Sequence, residues 1–578
     1  MDRKSIIGIA LAVAVLGWAQ WAQYKQQQEA RLHPKPPVAA EATPAPSATA
    51  APSATATPQA QPAPAVPEVK AEPAVPEETQ TVATATVAYT FTNRGGGIAT
   101  LKLLGHEGAQ PGERMVLNSA APRPIGAIAL QPEAEGAGTD AYTRVQESGD
   151  RVVYEKVVPP GIRVRKTYTL DQKPGVSYSL NLEVSFRNET AEPYAHPAYF
   201  LYTGAAAPLH ANDLPIYIGF DWYAGGGNSF ITPGWFTPGK IPLVGIETSP
   251  GKAIYAQSPG NVAWAGVRDQ YFTTMLLPQG DPAKGVWARP LTLKMENQEI
   301  KGMEGYLELP SFQLAPGASA ARQFTLYSGP AELNQLAALG KGAVHMMNLD
   351  RWWITRTVGM VLLRSMNALK GILNSYAWAI IVLTFIVRGA LWPIQGKANR
   401  SMKRMQLLQP KMNELREKYK DDPAKMNQEV MKLYKDYGAN PLSGCLPMLI
   451  QIPIFIGFYS MLGTAVELRN SSFLWVHDLS RPDTVAHLLG FPVNILPLAM
   501  AATMVWQMQL TPKAGDPAQQ KVMMFMPLIF VVFTYNFASA LALYYTVQNL
   551  LSILQLYATR NQPMPTLERA GAGRKARR

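Results

Sequence analysis

Two kinds of hydrophobic pattern divide the chain. Between Thr81 and Pro330 apolar residues recur at every second position: Val176, Tyr178, Leu180, Leu182, Val184 and Phe186 alternate with polar neighbours, and Ile162, Val164, Tyr168 and Leu170 nearly do. Alternation puts one set of side chains on one face, so the region predicts half-buried strands. Turn signals such as Arg94-Gly-Gly-Gly97, Pro159-Pro160-Gly161 and Lys173-Pro174-Gly175 come at hairpin intervals, which predicts a large antiparallel sandwich. Gly225-Gly226-Gly227 lacks the Gly-Lys-Ser/Thr ending and following helix of a phosphate loop and reads as a turn.

Past residue 330 the apolar positions become continuous. Trp378 to Pro393 reads WAIIVLTFIVRGALWP within a run that begins near Ile372. About 20 apolar residues at 1.5 Å each suffice to cross the hydrocarbon core of a bilayer. Further spans are predicted near 442–466, 491–510, 522–537 and 540–558. With Ser5 to Trp21 behind Met1-Asp2-Arg3-Lys4 they total six. The run at 522–537 measures roughly 24 Å as a helix, short of a normal core, which implies local thinning of the bilayer. The first span reads as an uncleaved signal anchor, because Trp18, Trp21 and Tyr24 form an aromatic belt without a convincing A-x-A cleavage site.

Two amphipathic patterns lie between the spans. Leu349 to Lys370 mixes Trp352, Trp353, Val358, Val361 and Leu362 with Arg351, Arg356 and Arg364, which predicts an interfacial helix. Met405, Leu408, Met412, Leu415 and Tyr419, then Met426, Val430, Leu433 and Tyr437 after Asp421-Asp422-Pro423, keep helical spacing and predict an antiparallel helical hairpin. Its methionines fit seam packing first, and a basic, adaptable docking surface second.

Composition then fixes sidedness and removes several classes of chemistry. The net charge of +12 comes from 53 Lys+Arg against 41 Asp+Glu. Eleven of those basic residues fall in 396–440 and six lie from Arg560 onward, so both termini and the hairpin are expected in the cytoplasm and the β region outside. His33 to Gln80 holds twelve prolines and no aromatic residue, too little apolar surface to fold, and reads as a spacer. Cys445 is the sole cysteine, which excludes an intramolecular disulfide, and the histidines form no HExxH or HxH pattern, which argues against a metal site.

These signals divide the chain into a signal anchor at 1–24, a Pro/Ala-rich linker at 25–80, a β domain at 81–330, and a connector with the amphipathic helix at 331–371. A span at 372–395, a helical hairpin at 396–440, four more spans within 441–560 and a basic tail at 561–578 follow.

The candidate chemistry centres on Arg388, the one charge in its span. A guanidinium keeps its proton, and burying it in hydrocarbon costs at least about 2.5–3.5 kcal/mol. Thr384 lies on the same face one turn earlier. Snorkelling toward the Trp392-Pro393 end is the competing reading at equal weight. The later spans add Ser443, Gln451, Gln507, Thr534, Asn536, Tyr544, Tyr545, Thr546, Gln548, Asn549 and Ser552. Singly, each can serve as helix-to-helix glue worth about 0.6 kcal/mol. Together, with no intramembrane carboxylate, they fit a wetted cavity better than a coupled transporter, which would place Asp or Glu in its spans and often show repeated halves.

TFIVRG (384–389), NPLSGCLPMLIQIPIF (440–455), LWVHDLS (474–480), DPAQQKVMMFMP (516–527) and LYYTVQNL (543–550) cover the C-terminal half in order. In these motifs the chain resembles the YidC-type membrane protein insertases of Gram-negative bacteria. The resemblance implies a polytopic α-helical membrane protein of six transmembrane helices, five of them an insertase core, with a large periplasmic all-β supersandwich of the galactose-mutarotase kind. It implies an inner-membrane protein with no catalytic activity and no cofactor or metal. It also implies a hydrophilic groove in which Arg388, Thr384, Gln451 and Tyr545 match polar positions. Tyr544 joins them from the polar residues of the last span, and Met448, Ile452, Phe455, Phe525 and Met526 are the candidate greasy slide for a client's apolar segment. Expected partners are nascent membrane proteins, the Sec translocon, lipid, and the ribosome and signal recognition particle receptor through the hairpin and basic tail. The alternatives are a small-molecule transporter and a membrane-anchored periplasmic carbohydrate-active protein.

Overall fold

The computed structural model describes residues 76–559, apart from 111, 135, 146–149, 171–174, 211–212, 241–246, 296–297, 350–352, 421, 438–445 and 512–528. The signal anchor, the linker up to residue 75, the basic tail, Cys445, Phe525, Met526 and the side chain of Met448 lie outside what is described.

Alternation builds the first half. Strand Ser179–Asn188 buries Leu180, Leu182, Val184 and Phe186, and pairs antiparallel with Ile162–Thr169, Tyr168 facing Leu182. Both belong to a nine-stranded sheet in the order 227–231, 219–224, 262–268, 272–279, 319–330, 179–188, 162–169, 151–158, 143–145. A five-stranded sheet, ordered 255–257, 285–295, 298–309, 199–206, 128–129, packs against it. Phe220, Leu276 and Phe324 of the first share one core with Leu201, Val286 and Leu307 of the second. The sheets close tightly because position 305 is glycine, where a Cβ would fall 2.2 Å from a ring carbon of Phe220. A four-stranded sheet begins at Thr79, inside the predicted linker, and adds Tyr89, Phe91 and Leu101 to the same core. Gly225 and Gly226, with φ of 59° and 89°, turn the hairpin between strands 219–224 and 227–231.

Lys166 explains why the alternation at 162–170 is imperfect. It occupies an inward position, fully buried, and its Nζ donates to the carbonyls of Gly95 and Gly126, each at 2.7 Å. The ammonium also sits 4.4 Å from the centre of the Tyr142 ring. It thereby ties the glycine turn at 94–97 to the sheet, and burial pushes its pKa down to about 7.

The second half contributes helices α1 (Leu333–Leu339), α2 (Trp353–Leu373), α3 (Tyr376–Lys418), α4 (Pro423–Asp436), α5 (Leu446–Thr464), α6 (Ile495–Leu510) and α7 (Ser539–Ala558). Among the described residues α3 is long and apolar enough to cross a membrane, while 450–464 and 495–510 form shorter apolar helices. α3 runs through the boundary placed at 395/396 and carries Pro393 and Pro410 in its interior. Its C-terminal half and α4 make the hairpin, whose seam buries Leu408, Met412 and Tyr434. Asp422 caps α4, its Oδ1 accepting from the Lys425 amide at 3.0 Å, with Pro423 in the first turn.

The β domain and the helices share a second core. Trp264, Met275, Leu277 and Tyr327 of the large sheet meet Leu336 of α1, Met346 of the 3-10 turn Ala343–Met347, Leu363 and Met366 of α2, and Phe458 and Leu462 of α5. Polar contacts reinforce it: Gln270 Nε2 donates to the Gly463 carbonyl at 2.6 Å, Tyr271 Oη to the Ser480 carbonyl at 3.3 Å, and Arg469 to the Gly108 carbonyl at 3.2 Å. The outer ends of α5 and its following loop therefore lie on the side of the β domain.

Candidate functional site

Arg388 projects from the first third of α3 and is only 7% exposed. α3 continues past Pro393 to Lys418. The guanidinium turns to α7, where Nη2 donates to Ser552 Oγ at 2.7 Å and to Gln555 Oε1 at 3.3 Å. Both acceptors are neutral, and no carboxylate pairs with Arg388 among the described residues. Its Nε has no partner among them either. The charge is thus oriented but not neutralised, an arrangement that leaves attraction available for an incoming anion.

The acceptors are themselves held. Ser552 Oγ donates to the Gln548 carbonyl at 2.8 Å, and Gln555 Nε2 donates to the Trp392 carbonyl at 3.1 Å, which stitches α7 back to α3. Thr384 is buried one turn before Arg388, with its hydroxyl donating to the Ile380 carbonyl at 2.7 Å. Gln555 is absent from the sequence-derived candidates. The signal for it was there, since Gln548, Ser552 and Gln555 follow 4-3 spacing along one face of α7.

Gln451 and the paired tyrosines form a neighbouring arrangement. Gln451 Nε2 donates to Tyr544 Oη at 3.4 Å, and the Tyr544 ring stacks on Phe458 with centroids 4.0 Å apart. Tyr545 packs beside it, 5.4 Å from Phe455 and 5.0 Å from Phe530. Phe455 is therefore part of an aromatic cluster, whereas Ile452 on α5 is 41% exposed. Asn549 Nδ2 donates to Thr503 Oγ1 at 3.1 Å and fixes α7 against α6.

A cleft of about 410 Å³ opens in the β domain, lined by Asn118, Asp269, Thr274 and Lys294 among others. Its carboxylate, Asp269, is pushed up to about 6 by burial, and its Oδ1 already accepts from the amides of Tyr271 (2.8 Å) and Phe272 (2.7 Å). At the domain junction, burial together with the nearby Glu467 carboxylate raises Glu332 to about 7.

Two family models match the chain, one described as 60Kd inner membrane protein over residues 368–566 and one as YidC periplasmic domain over residues 79–357. The membrane protein insertase YidC of Syntrophus aciditrophicus is 31% identical over 506 residues, which cover 84% of this chain and 85% of that protein. The chain belongs to the YidC family. The YidC insertase of Herminiimonas arsenicoxydans is 37% identical over 345 residues, 57% of this chain and 58% of its own. A crystal structure of an active YidC insertase with its first transmembrane domain resolved is 20% identical, covers 84% of this chain and 93% of the other, and has a TM-score of 0.33. Membership in the YidC family rests on the sequence matches. The two models also divide the chain between the mostly β half and the helical half, with the matched ranges meeting at α2.

Proposed function

We propose that this protein inserts inner-membrane proteins and helps them fold, alone or beside the Sec translocon, through a hydrophilic groove between its membrane helices. The observation that carries the reading is the buried guanidinium of Arg388, held by neutral Ser552 and Gln555 and left without a described counter-charge. A client's short polar tail enters from the cytoplasmic side, its acidic groups drawn to Arg388, while Thr384, Gln451, Tyr544 and Tyr545 supply polar neighbours. The tail then crosses the outer leaflet as the client's apolar segment slides into lipid. Ile452, exposed on α5, and Phe455 beside it contribute to the greasy wall, to which we also assign, from the sequence alone, Met448, Phe525 and Met526.

The architecture assigned to this activity has six spans, five of them forming the core, with both termini and the 396–440 hairpin cytoplasmic. Support comes from the basic residues of that hairpin and from the contacts that hold the loop after α5 against the β domain on the opposite side. The same charge makes the hairpin and the basic tail docking sites for ribosomes or a targeting receptor. The family reading makes the protein a non-enzyme, and partitioning and the membrane potential supply the driving force, the latter about 2.3 kcal/mol per charge per 100 mV. The test is purified protein in liposomes given a small coat-type client and no energy source. Protease-protected client supports insertion, and failure to insert any client while a small solute is transported would favour the transporter instead. Crosslinks from a stalled nascent chain to positions 384, 388 and 451 locate the path.

A further inference from the structure

Between α5 and α6 the chain forms a β hairpin in which Thr484–Leu488 pairs with Phe491–Asn494. Its turn is Leu489-Gly490, with φ of 52° and 86°, the left-handed pair that a two-residue hairpin turn uses. Cross-strand partners share a face, so Ala486 with Val493 and Leu488 with Phe491 make one side wholly apolar, while His487 and Pro492 take the other. Leu488, Leu489 and Phe491 are 67%, 90% and 37% exposed.

The hairpin is firmly held at its base. Asn494 Nδ2 donates to the Tyr535 carbonyl and Tyr535 Oη to the Pro492 carbonyl, both at 2.8 Å. Asp483 Oδ2 accepts from the Leu496 amide at 2.7 Å and from Trp475 Nε1 at 3.0 Å. An apolar tip fixed in this way cannot fold back to hide from water, which marks it as a contact surface.

Position and composition select the contact. The preceding loop is bonded to the β domain through Ser480, so the hairpin is on the outer side. From Thr484 to Leu510 the chain has no Asp, Glu, Lys or Arg, and the apolar surface continues onto exposed Ile495 and Leu498 of α6. α6 itself has 16 residues, about 24 Å of helix against a hydrocarbon core of about 30 Å. We infer that the hairpin 484–494 is an interfacial lipid-binding element that seats the outer end of α6, with Leu488, Leu489 and Phe491 entering the acyl chains of the outer leaflet. The open edges of a two-stranded hairpin keep its backbone in the hydrated headgroup zone, so only the tip side chains are immersed. The hairpin thereby draws the headgroups down to the end of a short helix and thins the outer leaflet beside α6.

This inference rests on the reading of α6 as a span, and the test separates the two. Full-length protein in a Cys445→Ser background is labelled with one nitroxide at Leu488→Cys, Leu498→Cys or Asp281→Cys, in vesicles of phosphatidylethanolamine and phosphatidylglycerol. Collisions with lipid-soluble oxygen and with a water-soluble nickel chelate are then compared. The expected result is oxygen above nickel at 488 and 498 and the reverse at 281, in the β domain. Nickel above oxygen at 488 with lipid-like 498 overturns the hairpin while sparing the span. Low collision with both reagents at 488 also overturns it, since the tip would then be covered by protein, either the first apolar segment or a second copy. Water-like behaviour at 498 as well would remove the span and the hairpin together.

Discussion

Replacing Arg388 separates the roles of charge and of geometry in client handling. A client carboxylate held about 4–6 Å from the guanidinium at an effective dielectric of about 20 gains roughly 3–4 kcal/mol. That is worth about a hundredfold or more in occupancy of the productive state. Arg388→Ala should therefore lower insertion of clients with acidic translocated tails by about that factor and leave neutral tails nearly unchanged, and Arg388→Glu should be worse because like charges repel. Arg388→Lys keeps the charge but cannot bond Ser552 and Gln555 in the same way, so it should fall between wild type and alanine. Ser552→Ala removes the 2.7 Å bond, a charge-assisted contact worth about 1.5–3 kcal/mol, yet leaves the charge in place. Its effect on acidic tails should be about tenfold at most.

The assay is insertion into proteoliposomes of one model client carrying no, one or two acidic residues in its tail, scored by protease protection. The defect of Arg388→Ala should grow with each acidic residue while that of Ser552→Ala stays nearly flat. Equal insertion of all three clients by wild type, lysine, alanine and glutamate variants would refute a role for the charge and leave Arg388 as packing. Lysine as damaging as glutamate would instead move the function from the charge to the fork formed with Ser552 and Gln555.

Other outcomes are set by the β domain and the hairpin. Glu332, at about 7 in the folded protein and 4.5 as the ordinary value, binds a proton more tightly when folded, so its stabilising contribution is complete below pH 4.5 and is lost as pH rises to about 7; Glu332→Gln should abolish that slope in thermal melts relative to wild type. Lys166, at about 7 against an ordinary 10.5, has the opposite sign: between those values the unfolded chain keeps a proton that the folded one has released, so stability rises with pH, and Lys166→Met should remove this rise in denaturant unfolding. Deleting much of residues 33–330 while keeping the first anchor should leave insertion of simple clients largely intact, because Arg388 and its partners lie wholly on α3 and α7; a stably expressed deletion that inserts nothing would contradict this. Ribosome binding through 396–440 should weaken steadily as salt rises, and salt-independent binding would point to apolar contact through the methionines.

The strands were legible because a half-buried sheet imposes a period of two, and Leu180, Leu182, Val184 and Phe186 all point inward as that period requires. The helical hairpin was legible for the same kind of reason, with Asp422-Pro423 marking its second helix. Two features were not. An apolar run starting at Phe491 looks like a helix from hydropathy alone, whereas the helix begins at Ile495 and the first residues pair as a strand. Gly490, Pro492 and β-branched Val485 and Val493 carried that message, but a long uncharged run outweighs such local signals.

The surroundings of Arg388 were hidden more deeply. The sequence singles out Arg388 as the one charge in its run, but Ser552 lies 164 residues away and Gln555 167. Neither periodicity nor composition reports which two helices face each other at a given depth. Ser552 and Gln555, taken alone, are ordinary polar residues of a helix interface. They become part of a site because α7 turns both toward one guanidinium while Gln548 and the Trp392 carbonyl hold them there. A carboxylate at either position would have quenched the charge, and two aliphatic residues would have left it without orientation. Neutral acceptors are the chemistry that keeps a buried arginine both fixed and available, so Ser552→Asp is the substitution that should silence Arg388 without touching it.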